Sequence, residues 1–437
     1  MKRAAPKILI GLFLAALAVY LLFFFGKADE GRLKVCFWGA FEELGMWQQM
    51  AAAFERAHPD IPVKLEYYPG GRYEDKVRVL LASGKPPDVI LFQDEPFPPF
   101  CEFGKFEDLS EYLKREGQSL DLDRDYWKTA AESFRWRGRQ YGIPVWVGNT
   151  LIYINKDLFD KFGVPYPPDD WTVDEFLATA KALTRDTDGD GRIDHYGFTP
   201  PYWLYGLPFL HAYGARFLEA DGPFPIEASH ARWAFTGPEA EATATFIKDL
   251  VWKHHVAPRE SEAGQMDANV QFLTGRIGMF TSGPWEMPFL NRTGLRWDVV
   301  PMPRGPGGRG TRVTWDGLAM AADSTRKDQA WTFIHFVAGR EAQEIIARTQ
   351  RSVPALKEVQ DLFVSARPQR DVHVERFIAA MGYARLQPIT DQWEKMAAPL
   401  SQEFGTMLRD QERTPDEMIR RLAVREKPIF GLVGGEP

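Results

Sequence analysis

Between residues 33 and 92 short apolar runs alternate with amphipathic stretches, and few folds accept that order. Leu33 to Trp38 reads as a strand ended by Gly39. Met46, Met50, Phe54 and Ala57 then recur at helical spacing until Pro59 stops them. Val63 to Tyr68 alternates as a second strand, broken by Pro69-Gly70-Gly71, and Tyr73 to Ser83 reads as a helix with Val77, Leu80 and Leu81 apolar. Val89 to Phe92 is a continuous apolar run, the pattern of a strand covered on both faces. Strand, helix, strand, helix, strand predicts a parallel, doubly wound sheet.

Further on, Tyr141 to Ile154 reads as extended chain, residues 156 to 184 as helical, and Thr199 to Phe235 as irregular, aromatic and proline-rich. Helices return at Glu239 to Val251 and near Asn269 to Leu273, a strand is expected at Ile277 to Phe280, and Pro301 to Gly310 is a loop. After Ser324 the pattern is helical to about residue 425, broken at Pro354, Pro368, Pro388, Pro399 and Pro415. With 437 residues, at roughly 150 per domain, two or three domains are expected.

Hydrophobic residues make up 45% and charged residues 26%, which excludes disordered and fibrous classes. A net charge of -7 argues against a nucleic-acid partner. Two cysteines, Cys36 and Cys101, cannot staple so long a chain; a pair and two buried thiols both fit. Lys2, Arg3 and Lys7 precede 18 uncharged residues, Ile8 to Phe25. That run spans about 27 Å as a helix, near the thickness of a bilayer core, with the basic end inside. An uncleaved transmembrane anchor over residues 1–30 is preferred to a cleaved signal, because a small-x-small site is poorly formed.

Motifs for catalysis are weak. Gly305-Pro-Gly-Gly-Arg-Gly310 fits a dinucleotide pattern but opens no helix. Ser282 lacks the flanking glycines of a nucleophile elbow. Asp186, Asp188, Asp190, Arg192 and Asp194 occupy positions 1, 3, 5, 7 and 9 of a calcium-loop pattern, with Gly191 at the tight turn. Gly197 stands where that loop has a bidentate Glu, so a structural Ca2+ site and a solvated acidic turn are both open.

The 14 Trp are an excess. Trp47, Trp252 and Trp331 sit in helical patterns and read as core. Other aromatics fall at strand ends beside polar groups: Trp38 with Glu42 and Glu43, Asp94-Glu95, Trp146 with Asn149, Tyr202-Trp203, Trp285, and Trp315-Asp316. Ligands of open α/β sheets bind beyond the carboxyl ends of strands. Flat indoles beside carboxylates suit a sugar, whose C–H faces stack while its hydroxyls need partners.

The chain resembles the family 1 extracellular solute-binding proteins of ABC importers, of the maltose and oligosaccharide-binding type. Val35 to Gly39, Phe54 to Val63, Leu81 to Val89, Tyr141 to Asn149, Tyr153 to Leu158, Gly275 to Trp285 and Ala330 to Phe336 carry the likeness in order. The resemblance implies a two-lobed periplasmic-binding-protein fold (type II) whose lobes are joined by crossing hinge strands. Lobe 1 would hold 31–142 and 278–323, and lobe 2 would hold 143–277 and 324–437. It implies closure on a carbohydrate, delivery to ABC permease subunits, action as a monomer and no catalysis. By position, lobe 1 would supply Trp38, Glu42, Glu43, Asp94, Glu95, Trp285, Trp315 and Asp316, and lobe 2 Trp146, Asn149, Tyr202, Trp203 and Arg351. The alternatives are a glycosidase using Glu286 and Asp316, and an anchored ligand sensor.

Overall fold

The computed structural model describes residues 31–433 except Ala40, Lys85, Pro201, Tyr202, Gly222, Pro223, Gln265 and 368–370. The anchor segment 8–25 lies outside them. Among the described residues no helix is long and apolar enough to cross a membrane.

Strands Leu33–Gly39, Val63–Pro69 and Val89–Gln93 are parallel neighbours, with Leu33–Gly39 in the middle. Helix Phe41–Ala57 buries Met46, Trp47, Met50 and Phe54 in the first core. The sheet is mixed rather than wholly parallel. Strand Thr311–Met320 lies antiparallel between Val89–Gln93 and Gly142–Asn149, so the chain returns to the sheet centre after more than half its length. That strand was not foreseen, because its residues Arg312, Thr314 and Asp316 are polar where a central strand is expected to be apolar.

A second sheet is built on Leu151–Asn155, with Met279–Ser282 and Trp297–Val300 antiparallel on either side. Its alternation divides it between two cores. Leu151, Tyr153, Phe280 and Trp297 join the first core, whereas Ile152, Ile154, Met279 and Val300 join the second. One residue, Thr150, separates the strands of the two sheets. Its N–H donates to Arg312 O at 3.1 Å, and Thr311 Oγ1 donates to its carbonyl. Two strands therefore cross side by side at this point.

This packing corrects the expected lobe limits. Gly142–Asn149 stays in the first sheet, Met279–Ser282 and Trp297–Val300 belong to the second, and Lys327–Ala338 and Arg340–Thr349 return to the first core. The last two helices bury Ala330, Phe333, Ile334, Ala342 and Ile346 there, leaving Trp393–Arg409 and Pro415–Phe430 for the second core. Two local readings also change. The 199–235 stretch contains helix Trp203–Tyr213, and Pro399 lies inside Trp393–Arg409 instead of ending it. Burial of Met396, Leu400, Phe404 and Met407 on the second core offsets the roughly 3 kcal/mol that an interior proline costs. Cys36 and Cys101 are two separate buried thiols.

Candidate functional site

Two indoles at strand ends keep solvent-reachable surface. Trp38 is half-buried at the end of the first strand and lies 4.9 Å, centroid to centroid, from Tyr73. Tyr73 is held by its hydroxyl, which donates to Cys36 O at 3.1 Å and Leu91 O at 2.9 Å. A cavity of about 270 Å³ opens beside them, lined also by Glu74 and Gln93. Trp285 is half-buried and follows the end of strand Met279–Ser282. Its ring rests on two glycines. A Cβ on Gly148 would stand 2.7 Å from the ring, and one on Gly283 only 2.2 Å away, so any side chain at either position displaces the indole. Next to it, Glu286 accepts from Ser282 Oγ at 2.9 Å and faces a cavity of about 300 Å³ with Asn269.

Several carboxylates distant in sequence interact electrostatically. Glu43 is buried and pairs with Arg351 through both Nε and Nη2. Glu95 is buried and accepts from Arg312 Nη2 at 2.5 Å and from Gln387 Nε2. Asp94 accepts from Thr314 Oγ1 at 2.8 Å, leaving Oδ2 without a donor. Asp316 accepts from the Trp146 indole N–H through Oδ2, and its Oδ1 is likewise unpartnered. Burial pushes Asp94 well above the carboxylate range, reinforced by the charges of Glu95 and Asp316. Burial raises Asp316 to about 7, with Arg351 pulling it back. Glu74 is also raised to about 7, by burial and then by Glu95 and Glu394. Glu286 is raised by burial, opposed by Ser282 and Arg351.

The arrangement can present aromatic faces and oriented acceptors to a polyhydroxylated ligand. Two ion pairs are already satisfied, so they need not reorganise on binding.

The expected residues divide. Trp38, Glu43, Asp94, Glu95, Trp146, Trp285, Asp316 and Arg351 belong to this linked set. Trp315 does not: it is 0% exposed within the first core. Adjacent residues of a strand point to opposite faces, so Asp316 and Trp315 cannot share a site wall. Asn149 is fully buried at the crossing, and its Nδ2 donates to Phe377 O at 2.6 Å, a tie between elements. Tyr202 lies outside the described residues, as do the side chains of Glu42 and Trp203. Arg312, Thr314, Gln387, Glu74, Tyr73, Ser282 and Asn269 had not been singled out as site residues. The spacing of Arg312, Thr314 and Asp316 at every second residue carried a signal for one face. Gln387 carried none, because a distant segment brings it to Glu95.

The acidic loop is separate. A hairpin closed by Arg185 and His195 holds it, and Asp186, Asp188 and Asp194 bring carboxylate oxygens within 4.8 Å of one another. Asp190 and Arg192 are outside that group; Asp190 Oδ1 accepts from Arg192 N at 2.7 Å, closing a local turn. The three oxygens are a hard donor set that fits Ca2+. Backbone N–H groups also use them: Asp186 accepts from Gly189 N at 2.7 Å and Gly191 N at 2.9 Å.

The family model described as bacterial extracellular solute-binding protein matches residues 41–344. The chain belongs to this family. Among relatives, this solute-binding protein is 23% identical to a maltotriose-binding protein of Pyrococcus abyssi, over 90% of this chain and 81% of the relative. It is also 23% identical to a diacetylchitobiose-binding protein of Streptomyces coelicolor, over 79% and 77%. A solved ABC substrate-binding protein of Listeria monocytogenes in complex with cycloalternan shares the fold with a TM-score of 0.82 and 24% identity, covering 92% of this chain and 99% of that one. A maltotriose-binding protein of Thermus thermophilus superposes with a TM-score of 0.73 and 20% identity, over 91% and 99%. The two-lobed α/β architecture is thus common to all of these structures.

Proposed function

We propose that this protein is an extracytoplasmic oligosaccharide receptor that delivers its ligand to an ABC importer. The observation that carries the reading is the pair of solvent-reachable indoles, Trp38 and Trp285, with buried ion pairs Glu43–Arg351 and Glu95–Arg312 set among them. Sugar rings stack on the indoles, and hydroxyls hydrogen-bond to polar groups that line the two cavities, Glu74 and Gln93 beside Trp38, and Asn269 and Glu286 beside Trp285. The names of the relatives, which bind maltotriose and diacetylchitobiose, support the carbohydrate class.

In this reading the lobes rock about the Thr150–Thr311 crossing, and the ligand-closed form, a monomer, engages the permease subunits. Residues 8–25 hold the protein to the outer face of the membrane, and the 186–194 loop takes a structural Ca2+. No bond is broken in the bound sugar.

Titration calorimetry against maltotriose and diacetylchitobiose, with chromatography of the recovered sugar, tests this. Saturable binding with unchanged sugar is the expected result. Hydrolysis products would replace the receptor with the glycosidase alternative, for which the raised Glu286 and Asp316 are the acid candidates. Failure of every sugar would remove the substrate class.

A further inference from the structure

Two arginines of the first lobe reach acids of the second, close to the Trp38 cavity. Arg78 lies on helix Tyr73–Ala82, one turn beyond Tyr73, Glu74 and Asp75, which line that cavity. It pairs with Asp75 of its own helix at 3.2 Å and with Glu394, on helix Trp393–Arg409 of the second core. Arg137 pairs with Glu102 at 3.0 Å, on a helix that buries Phe97 and Phe100 in the first core. It also pairs with Glu227 at 3.1 Å, next to Ala228 of the second core. Each arginine is thus held by an acid of its own lobe and shared with one across the gap. The two distant acids stand on one support. Ala228 N donates to Asp391 Oδ1 at 2.8 Å, and Ile226 N donates to Ile389 O at 2.9 Å, tying the 227 turn to the segment that leads to Glu394.

The backbone at Arg137 is a second, independent observation. Arg135–Trp136 and Arg139–Gln140 pair as a hairpin whose two-residue turn is Arg137-Gly138, with φ of 47° and 77°. Such a turn favours Asn, Asp or Gly at its first position, because positive φ crowds a longer side chain. An arginine kept in that conformation points to a role for its guanidinium. The Arg78 pair, for its part, has no apolar backing. A cavity of about 350 Å³ lies beside it, with Phe100 and Phe103 on one wall and Gln392 and Lys395 on the other, and Phe103 stays 76% exposed. Here the lobes meet through charged tips and not through packed surface, so the contact can part without opening a core. All four side chains of the two pairs keep solvent access, so each pair shifts an equilibrium by at most about fivefold and is screened by salt.

We infer that Arg78 and Arg137 form a salt-sensitive latch, which holds the lobes closed and sets how long a ligand stays bound. The own-lobe acids, Asp75 and Glu102, keep each guanidinium aimed across the gap when the lobes part, so little side-chain freedom is lost when they meet again. Two weak pairs suit a receptor that must release its cargo, because the closed state is favoured without being trapped. The part of the inference that concerns ligand release rests on the oligosaccharide-receptor reading; the part that concerns closure does not need a ligand.

The test measures closure directly. Donor and acceptor dyes are placed on the full chain at exposed Lys114→Cys in the first lobe and Arg420→Cys in the second, the native thiols being buried. Single-molecule energy transfer then gives the ratio of closed to open molecules. That ratio should fall at least about threefold in the wild type between about 20 mM and about 1 M NaCl. Arg137→Asn and Arg78→Gln should each lower it about two- to fivefold at low salt, weaken its salt response, and speed the release of maltotriose by the same factor. Because Asn suits the turn better than Arg, the melting temperature of Arg137→Asn should be unchanged or higher, which separates the latch from folding. Adding Glu227→Gln to Arg137→Asn should lower the ratio no further, since one pair is lost only once. A ratio indifferent to salt, an unchanged ratio in Arg137→Asn, or additive losses in the double variant overturns the latch while leaving the receptor reading intact. If maltotriose and diacetylchitobiose both fail to bind, the receptor reading falls, and the dye ratio still decides the latch.

Discussion

Two groups of carboxylates in this protein have opposite physical lives. Glu43, Asp94 and Glu95 are buried among strands of the first sheet, next to Asp316, and burial raises Asp94 and Asp316. Asp186, Asp188 and Asp190 are exposed on a hairpin loop, and Asp194 is lowered by Thr187, whose hydroxyl and N–H both donate to it. Desolvation sets the titration of Asp94 and Asp316, and local hydrogen bonding sets that of Asp194. Composition treats the two alike. The difference decides which acids need an arginine and which are satisfied by water and backbone.

The largest effect should come from removing a cation within the first group. Arg312→Met leaves buried Glu95 with Gln387 and no guanidinium, and should cost about 3–5 kcal/mol, read as a fall in melting temperature or in denaturant midpoint. A variant as stable as the wild type would show that the buried acids are balanced some other way.

Next is the indole beside these acids. Trp285→Ala should weaken oligosaccharide binding by about 2 kcal/mol, some thirtyfold, with a small change in stability, because the ring is half-buried and rests on Gly148 and Gly283. Calorimetry and quenching of Trp fluorescence measure this. Equal affinity in the variant would take Trp285 out of the site.

Asp316 provides a pH signature. Its native pKa of about 7 lies above its ordinary 3.8, so between these values the folded state holds a proton that the unfolded state has released. Stability from this group is present at low pH and is lost as pH rises through about 7. Melting temperature measured from pH 4.5 to 7.5 should therefore fall less steeply in Asp316→Asn than in the wild type. Identical slopes would sink the assignment.

The smallest effects belong to the loop. Asp186→Ala removes acceptors for Gly189 N and Gly191 N and should cost about 1 kcal/mol or less. Added Ca2+ should raise the melting temperature of the wild type slightly and that of Asp186→Ala not at all. No calcium response in either protein would leave the loop as a set of backbone caps.

Much of the first lobe was readable along the chain. The strands at 33–39, 63–69 and 89–93, with the helices between them, announce themselves because local periodicity and burial agree. The strand at 311–320 hid because it is two-faced: Val313, Trp315 and Leu318 enter the core, whereas Arg312 and Thr314 meet the acids. Reading Trp315 and Asp316 as one unit mistook adjacency in sequence for adjacency in space. The pairings Glu43–Arg351 and Glu95–Gln387 join positions about 300 residues apart, and no local pattern encodes them.

Residue order was enough to establish the α/β class, the family and the candidates Trp38, Trp285, Asp94 and Glu95, because each depends on short-range periodicity or on a local motif. Which indoles stay in reach of solvent, which acids acquire an arginine, and which lobe receives the helices after residue 324 had to await packing. Those outcomes depend on burial and on contacts across the chain crossing at Thr150, where strands distant in sequence lie a hydrogen bond apart.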